Sequence, residues 1–298
     1  MASELDALFF DLQALSQADY GSKMEGARPR AAETGAVPVP TVAAKVAFPD
    51  ALHGFDPLPY LTPEMALAYH NPQMLVRDSG EEIKRVPCMP PDAVSLQVRD
   101  ELKALGHRWD KVGRLFLATP NEINEADRCN LFCISKPDGE LRQIIDRRPR
   151  NARERPPPSH APKMGHPSTF LGIIIPPSHD LKGNLDDLRN FYHEFKVSDS
   201  RSLSTPVGPT WTLKEWEGTA AHKILISRLG GKKELKPTSP IYACFVGLSM
   251  GDHWAPALAQ ASHEELLRAH DALRAEEELR FGVIPPRAPR SLHGSLYR

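Results

Sequence analysis

Apolar residues recur at helical spacing at the start of the chain, where Leu5, Leu8, Phe9, Leu12 and Leu15 share one face behind a capping Ser3. Thr62-Pro63-Glu64 opens a second short helix, with proline at its first position. Pro91 to Leu105 reads as an amphipathic helix stopped by Gly106. The period then changes. Leu131–Ser135 and Leu141–Asp146 are short β-rich runs flanking Lys136-Pro137-Asp138-Gly139, which is turn chemistry, so the pair predicts a β-hairpin. Leu185 to Val197 reads as a strand followed by a turn, and Ile241 to Leu248 as a short buried strand. Ala255 to Leu279 reads as a long helix with Leu258, Leu266, Leu267, Ala269 and Leu273 at helical spacing, ended by Pro285 and Pro286.

Between these elements the texture loosens. Gly, Ala, Pro and Arg dominate from Tyr20 to about Val46, Arg155-Pro-Pro-Pro-Ser159 marks an exposed break, and 198–240 reads as a loop-rich insertion around Gly230-Gly231-Lys232-Lys233. The expected organisation is a flexible leader with short helices over 1–85 and a globular α+β region over 86–298.

Composition changes this picture little. With 298 residues, 41% hydrophobic and 25% charged, the chain can bury a proper core. Proline, at 29 residues, is roughly twice its usual 5% share, and it is clustered. A net charge of −1 supplies no global field for a polyanion. Locally, Lys136, Arg142, Arg147, Arg148, Arg150, Arg153 and Arg155 outnumber four acids between 136 and 155. That run reads either as a solvated basic loop or as a phosphate-binding segment.

Four cysteines form no disulfide framework, and Cys129 and Cys133 lack a second pair or a histidine at zinc spacing. No signal peptide is evident, and the longest apolar run, Phe170 to Pro176, is too short to span a bilayer. An intracellular protein, cytoplasmic or nuclear, is expected. Gly230-Gly231-Lys232 lacks the first glycine of a phosphate loop, and no Gly-x-Ser-x-Gly elbow occurs.

Three blocks carry a resemblance: Phe132 to Asn151, Asp187-Leu-Arg-Asn-Phe-Tyr-His-Glu-Phe-Lys-Val197, and Leu248-Ser-Met-Gly-Asp-His-Trp-Ala-Pro256. In this order they resemble the fingers and palm of a retroelement reverse transcriptase, an RNA-directed DNA polymerase. The resemblance implies a right-hand polymerase fold with an antiparallel palm sheet and packed helices. It also implies two-Mg²⁺ phosphoryl transfer onto a primer paired with an RNA or DNA template, with deoxynucleoside triphosphate (dNTP) as substrate.

By that resemblance Asp187 is the first catalytic carboxylate and a Mg²⁺ ligand, and Tyr192 lies under the nucleotide sugar. Lys136 and Arg142 contact the triphosphate, one as a point charge and the other as a guanidinium fork. Asp146, Arg148 and Asn151 match the Asp-x-Arg-x-x-Asn pattern that closes the fingers block, with Asp146 and Arg148 expected as a structural ion pair. Met250 and Gly251 match positions beside the incoming nucleotide, and Pro256 opens the long helix. Ser249 stands where the family has proline, and Asp252 adds a negative charge beside a polyanion site. The chain ends before an aromatic-x-Asp-Asp turn, so the expectation for this chain alone is an inactive fragment. The alternative is a non-catalytic remnant that binds nucleic acid or nucleotide.

Overall fold

The computed structural model describes residues 38–77, 99–157, 173–175, 177–178, 180, 188–230, 235–272, 274 and 278–279. These residues lie within one unit that begins at Pro38. It is a mixed α+β structure with two three-stranded antiparallel sheets among the described residues.

The first sheet is built on the hairpin. Strands β3 (Asn130–Ser135) and β4 (Leu141–Asp146) pair in a continuous register from Asn130↔Asp146 to Ser135↔Leu141. Alternation places Leu131, Cys133, Leu141, Gln143 and Ile145 on the buried face, as a period of two requires. β1 (Pro38–Val39) adds to the other side of β3, giving the order β1-β3-β4. The outer edge of β4 is covered at both ends. The Ala47 N–H donates to the Leu141 carbonyl at 2.7 Å, and the Ile145 N–H donates to the Met250 carbonyl at 3.0 Å.

The second sheet runs β2 (Leu115–Ala118), β6 (Pro240–Phe245), β5 (Pro206–Thr212), with β6 in the middle. β6 is apolar and largely buried because it is central. Helix α2 (Arg99–Lys111) packs on the core through Leu105 and Trp109, and the Trp109 indole N–H donates to the Gln143 side chain at 3.2 Å. The expected stop at Gly106 is not one: α2 runs through it. Gly106 lies against Trp216, whose ring would stand 2.3 Å from an added Cβ, so this glycine serves close packing. The helix ends instead at Lys111, and Gly113 just beyond it, φ 69°, turns the chain so that the Arg114 N–H returns to the Trp109 carbonyl at 2.7 Å.

A second apolar cluster joins α1 (Pro63–His70) to α7 (Ala255–Ala269) through Met65, Tyr69, Phe195, Leu248, Trp254 and Leu258. Thr62 caps α1 by accepting from the Met65 N–H at 3.3 Å. Residues 38–77 therefore differ from the leader expected over 1–85: Ala43, Val46 and Phe48 are buried in the first cluster. Composition misleads there because short, irregular pieces reach the core without any hydrophobic period. The amphipathic helix expected at 3–15 and the start of the one at 91–98 lie outside the described residues.

Two further stretches depart from expectation. The segment 188–195 is no strand. It enters one helical turn, α4 (Phe191–Glu194), through Asn190 at φ 56°, and then Phe195 bridges Phe55. Phe191 and Phe195 are four apart, which puts their ring centroids 4.9 Å from each other on one side of the turn. The expected loop-rich insertion holds α5 (Asp199–Leu203), β5 and α6 (Ala220–Leu229). Thr219 caps α6, and Gly230 closes it at φ 56°. α7 begins at Ala255-Pro256 as expected but ends at Ala269.

Candidate functional site

The hairpin turn is set by its own chemistry. The Gly139 N–H donates to the Lys136 carbonyl at 3.1 Å, with Gly139 at φ 83°, a conformation few other residues adopt cheaply. The Lys136 N–H then donates to the Glu140 carbonyl at 2.8 Å, which extends the pairing by one step. Lys136 is thus opposite Glu140, and Arg142 is opposite Ile134, all on the face turned away from the core. Lys136 and Arg142 are diagonal neighbours on that face, a spacing of about 7–8 Å between backbones. The Lys136 ammonium already has company: Asp138 lies 2.9 Å away and Glu140 2.5 Å. Arg142 is exposed and has no ion-pair partner among the described residues.

At the hairpin base, Arg148 grips Asp146 with both arms of its guanidinium, Nε at 2.8 Å and Nη2 at 2.7 Å. α3 (Arg148–Arg153) follows, with Pro149 in its first turn. From α3, the Asn151 side chain donates to the Gly251 carbonyl at 2.7 Å and accepts from the His253 N–H at 3.5 Å. Gly251 has φ 116°, and a Cβ there would come 2.0 Å from the Ile145 carbonyl oxygen. The close approach that this glycine permits is to the hairpin's own backbone, where the resemblance implies a base or sugar.

The arginines that follow β4 are resolved by burial. Arg147 and Arg150 are each 0% exposed. Arg150 pairs with Asp127 at 2.6 Å and with Glu154 at 2.6 Å. Arg147 reaches Glu154 at 3.4 Å and also pairs with Asp252. Arg201, from α5, meets Asp252 at 3.1 Å and donates to the carbonyls of Tyr69 at 2.8 Å and Ala68 at 3.0 Å. Arg153 adds a contact to Asp127, and His253 Nε2 stands 3.3 Å from Glu154. Buried charges persist when paired and hydrogen-bonded in this way.

The network sets its own protonation. Burial pushes the Glu154 carboxyl up, but Arg147, the His253 hydrogen bond and Arg150 outweigh it and hold the pKa at about 2. Arg147 loses by burial and regains more from Asp252 and Glu154, ending above its ordinary value. These arginines are therefore neither a solvated loop nor a phosphate cradle. Asp252 likewise faces Arg147 and Arg201, which explains a negative charge that would be out of place in a nucleotide pocket.

Tyr192 sits half-buried on α4, and its carbonyl accepts from the Leu248 N–H at 3.3 Å. Burial first, then the charge of Asp252, pushes its phenol up to about 12. Its neighbour His193 is buried between Phe48 and Phe245, and burial followed by Arg114 lowers its pKa to about 4. Met250 is half-buried and gives its carbonyl to Ile145, while Pro256 is exposed in the first turn of α7. Asp187 lies outside the described residues.

The structure thus brings Lys136 and Arg142 together on one face. Separately, it brings Asp146, Arg148, Asn151, Met250 and Gly251 together at the hairpin base. Asp127, Arg201 and Arg114 carry no local motif that would single them out in the sequence. Among the described residues, no group of three or more His, Cys, Asp or Glu could hold a metal ion. Cys129, Cys133 and Cys244 are buried cysteines, and the Cys129 thiol donates to the Asp127 carbonyl at 3.2 Å. No helix of the described residues is long and apolar enough to cross a membrane. No protein-family model matches the chain, and no curated protein matches it.

Proposed function

We propose that this chain is a reverse-transcriptase-like fingers and partial palm whose hairpin face takes the phosphates of a dNTP or a template-primer. One observation carries this reading. The three blocks that resemble the family in order also meet in space: Met250 on Ile145, Gly251 on Asn151, and Leu248 on Tyr192. A hairpin anchored at its base by residues 248–253 presents Lys136 and Arg142 at its tip, a point charge beside a guanidinium fork. That pairing suits adjacent phosphates. The second reading, a binding module without chemistry, uses the same face.

Mg²⁺ enters through Asp187 alone, and the described residues gather no carboxylate site for it. Phosphate binding by the hairpin rests on Lys136 and Arg142 and needs no metal. Fluorescence anisotropy with a labelled template-primer tests this. Affinity falls as salt rises from about 50 to about 200 mM, because neutralised phosphates release counterions. The K136A/R142A double variant binds about ten-fold more weakly or worse. Equal binding by parent and double variant removes the hairpin face from the reading. For chemistry, the test uses a protein extended to carry the aromatic-x-Asp-Asp turn: Mg²⁺-dependent primer extension that persists there in Asp187→Ala removes Asp187 from the reading.

A further inference from the structure

The hairpin tip carries its own anions. Lys136 and Arg142 share a face with Glu140, and Asp138 reaches into it from the turn, so two carboxylates gather on one of the two cations, Lys136. Their placement is organised. One Asp138 oxygen accepts from the Glu140 N–H at 3.0 Å, which leaves its other oxygen directed at the Lys136 ammonium, 2.9 Å away. Glu140 stands opposite Lys136 in the strand register and closes on the same nitrogen. The Lys136 side chain is only 25% exposed, although it projects from a turn whose carboxylates are 55% and 53% exposed. Hydrogen bonds that the ammonium donates to Glu140 and then to Asp138 raise the lysine pKa, so it stays charged while it is covered. Arg142, opposite Ile134, has no such cover.

Resting on the phosphate-binding reading above, we infer that Asp138 and Glu140 are built-in competitors for Lys136, so that this face admits a polyphosphate and discriminates against a single phosphate. Each exposed pair is worth no more than about five-fold in an equilibrium, so the carboxylates are displaceable. A lone phosphate that settles on Arg142 gains nothing from Lys136 unless it also evicts the carboxylates. A triphosphate spans the diagonal, holds Arg142 with one group and brings the next to Lys136 at high local concentration.

Isothermal titration of the full chain with inorganic tripolyphosphate and with orthophosphate tests this, using parent, D138N/E140Q, D138N/E140Q/K136M and K136A/R142A proteins. All the substitutions lie at the hairpin tip, and asparagine retains the turn-forming acceptor of Asp138. D138N/E140Q is expected to bind tripolyphosphate about five- to ten-fold more tightly, with its preference over orthophosphate narrowed. The gain disappears in D138N/E140Q/K136M. The same gain without Lys136 overturns the inference, since bulk charge alone then accounts for it. No gain in D138N/E140Q, with K136A/R142A weakened, also overturns it but leaves the phosphate-binding face standing. Identical binding by parent and K136A/R142A defeats both.

Discussion

Asn151 holds Gly251 across a hundred residues of chain, its side-chain amide donating to the glycine carbonyl at 2.7 Å. Together with the Ile145–Met250 backbone bond, this fastens the 248–253 segment to the base of the hairpin. Asn151→Ala should cost about 1 kcal/mol in urea unfolding, since the site is partly open to water. Asn151→Asp keeps the shape but loses the donor and turns a carboxylate toward a carbonyl oxygen. It should be the less stable of the two, and an aspartate variant as stable as the parent would mean that the donor is idle.

The fit of Gly251 makes a sharper demand. Gly251→Ala adds a Cβ 2.0 Å from the Ile145 carbonyl in a backbone at φ 116°. A loss of more than about 3 kcal/mol, or failure to fold, is expected. Gly113→Ala is the control. It shares a positive φ, 69°, but meets nothing within 4 Å, so it should cost only about 1 kcal/mol. Similar losses at the two positions would show that backbone strain, not the contact with the hairpin, sets the requirement.

Removing Arg147 leaves Glu154 and Asp252 short of a cation in a fully buried setting. Arg147→Met should destabilise by about 3–5 kcal/mol. A variant that melts within a degree or two of the parent would show that water replaces the guanidinium.

The hairpin was legible because both of its signals are local. Alternation fixes which face is buried, and Pro-Asp-Gly fixes the turn, so register follows from the residues between 130 and 146 alone. The caps of α1 and the proline opening α7 are local in the same sense. Gly106 misleads because its partner, Trp216, lies far along the chain: a glycine read as a stop is in fact a contact. The turn at 191–194 misleads because a short apolar run with aromatics four apart fits a strand or a helix equally well. The arginines after β4 mislead most. Charge counted along the chain suggests an exposed basic segment, yet their partners, Asp127, Glu154 and Asp252, arrive from three places. Of the candidate site, the Lys136–Arg142 face follows from strand register, whereas the roles of Asn151 and Gly251 required knowing that 248–253 lands on β4.

Acid should weaken this protein in two successive windows. His193 has a folded pKa of about 4, below its ordinary 6.5, because it is buried and then because Arg114 is near. Above pH 6.5 both folded and unfolded chains hold it neutral. Below 6.5 the unfolded chain takes up a proton that the folded chain refuses until about pH 4, so stability falls between these values. Glu154, at about 2 against an ordinary 4.5, stays ionised in the fold after the unfolded chain protonates. Its contribution is complete above 4.5 and is lost as pH falls toward 2. His263, whose pKa burial also lowers, acts in the same sense as His193, so the informative quantity is a difference between proteins. His193→Phe keeps a ring between Phe48 and Phe245 and removes the proton. Urea unfolding at pH 6.5 and pH 4 should show a smaller loss of stability in the variant than in the parent, with the second window unchanged. Equal losses between pH 6.5 and 4 would clear His193 and leave the first window to other groups.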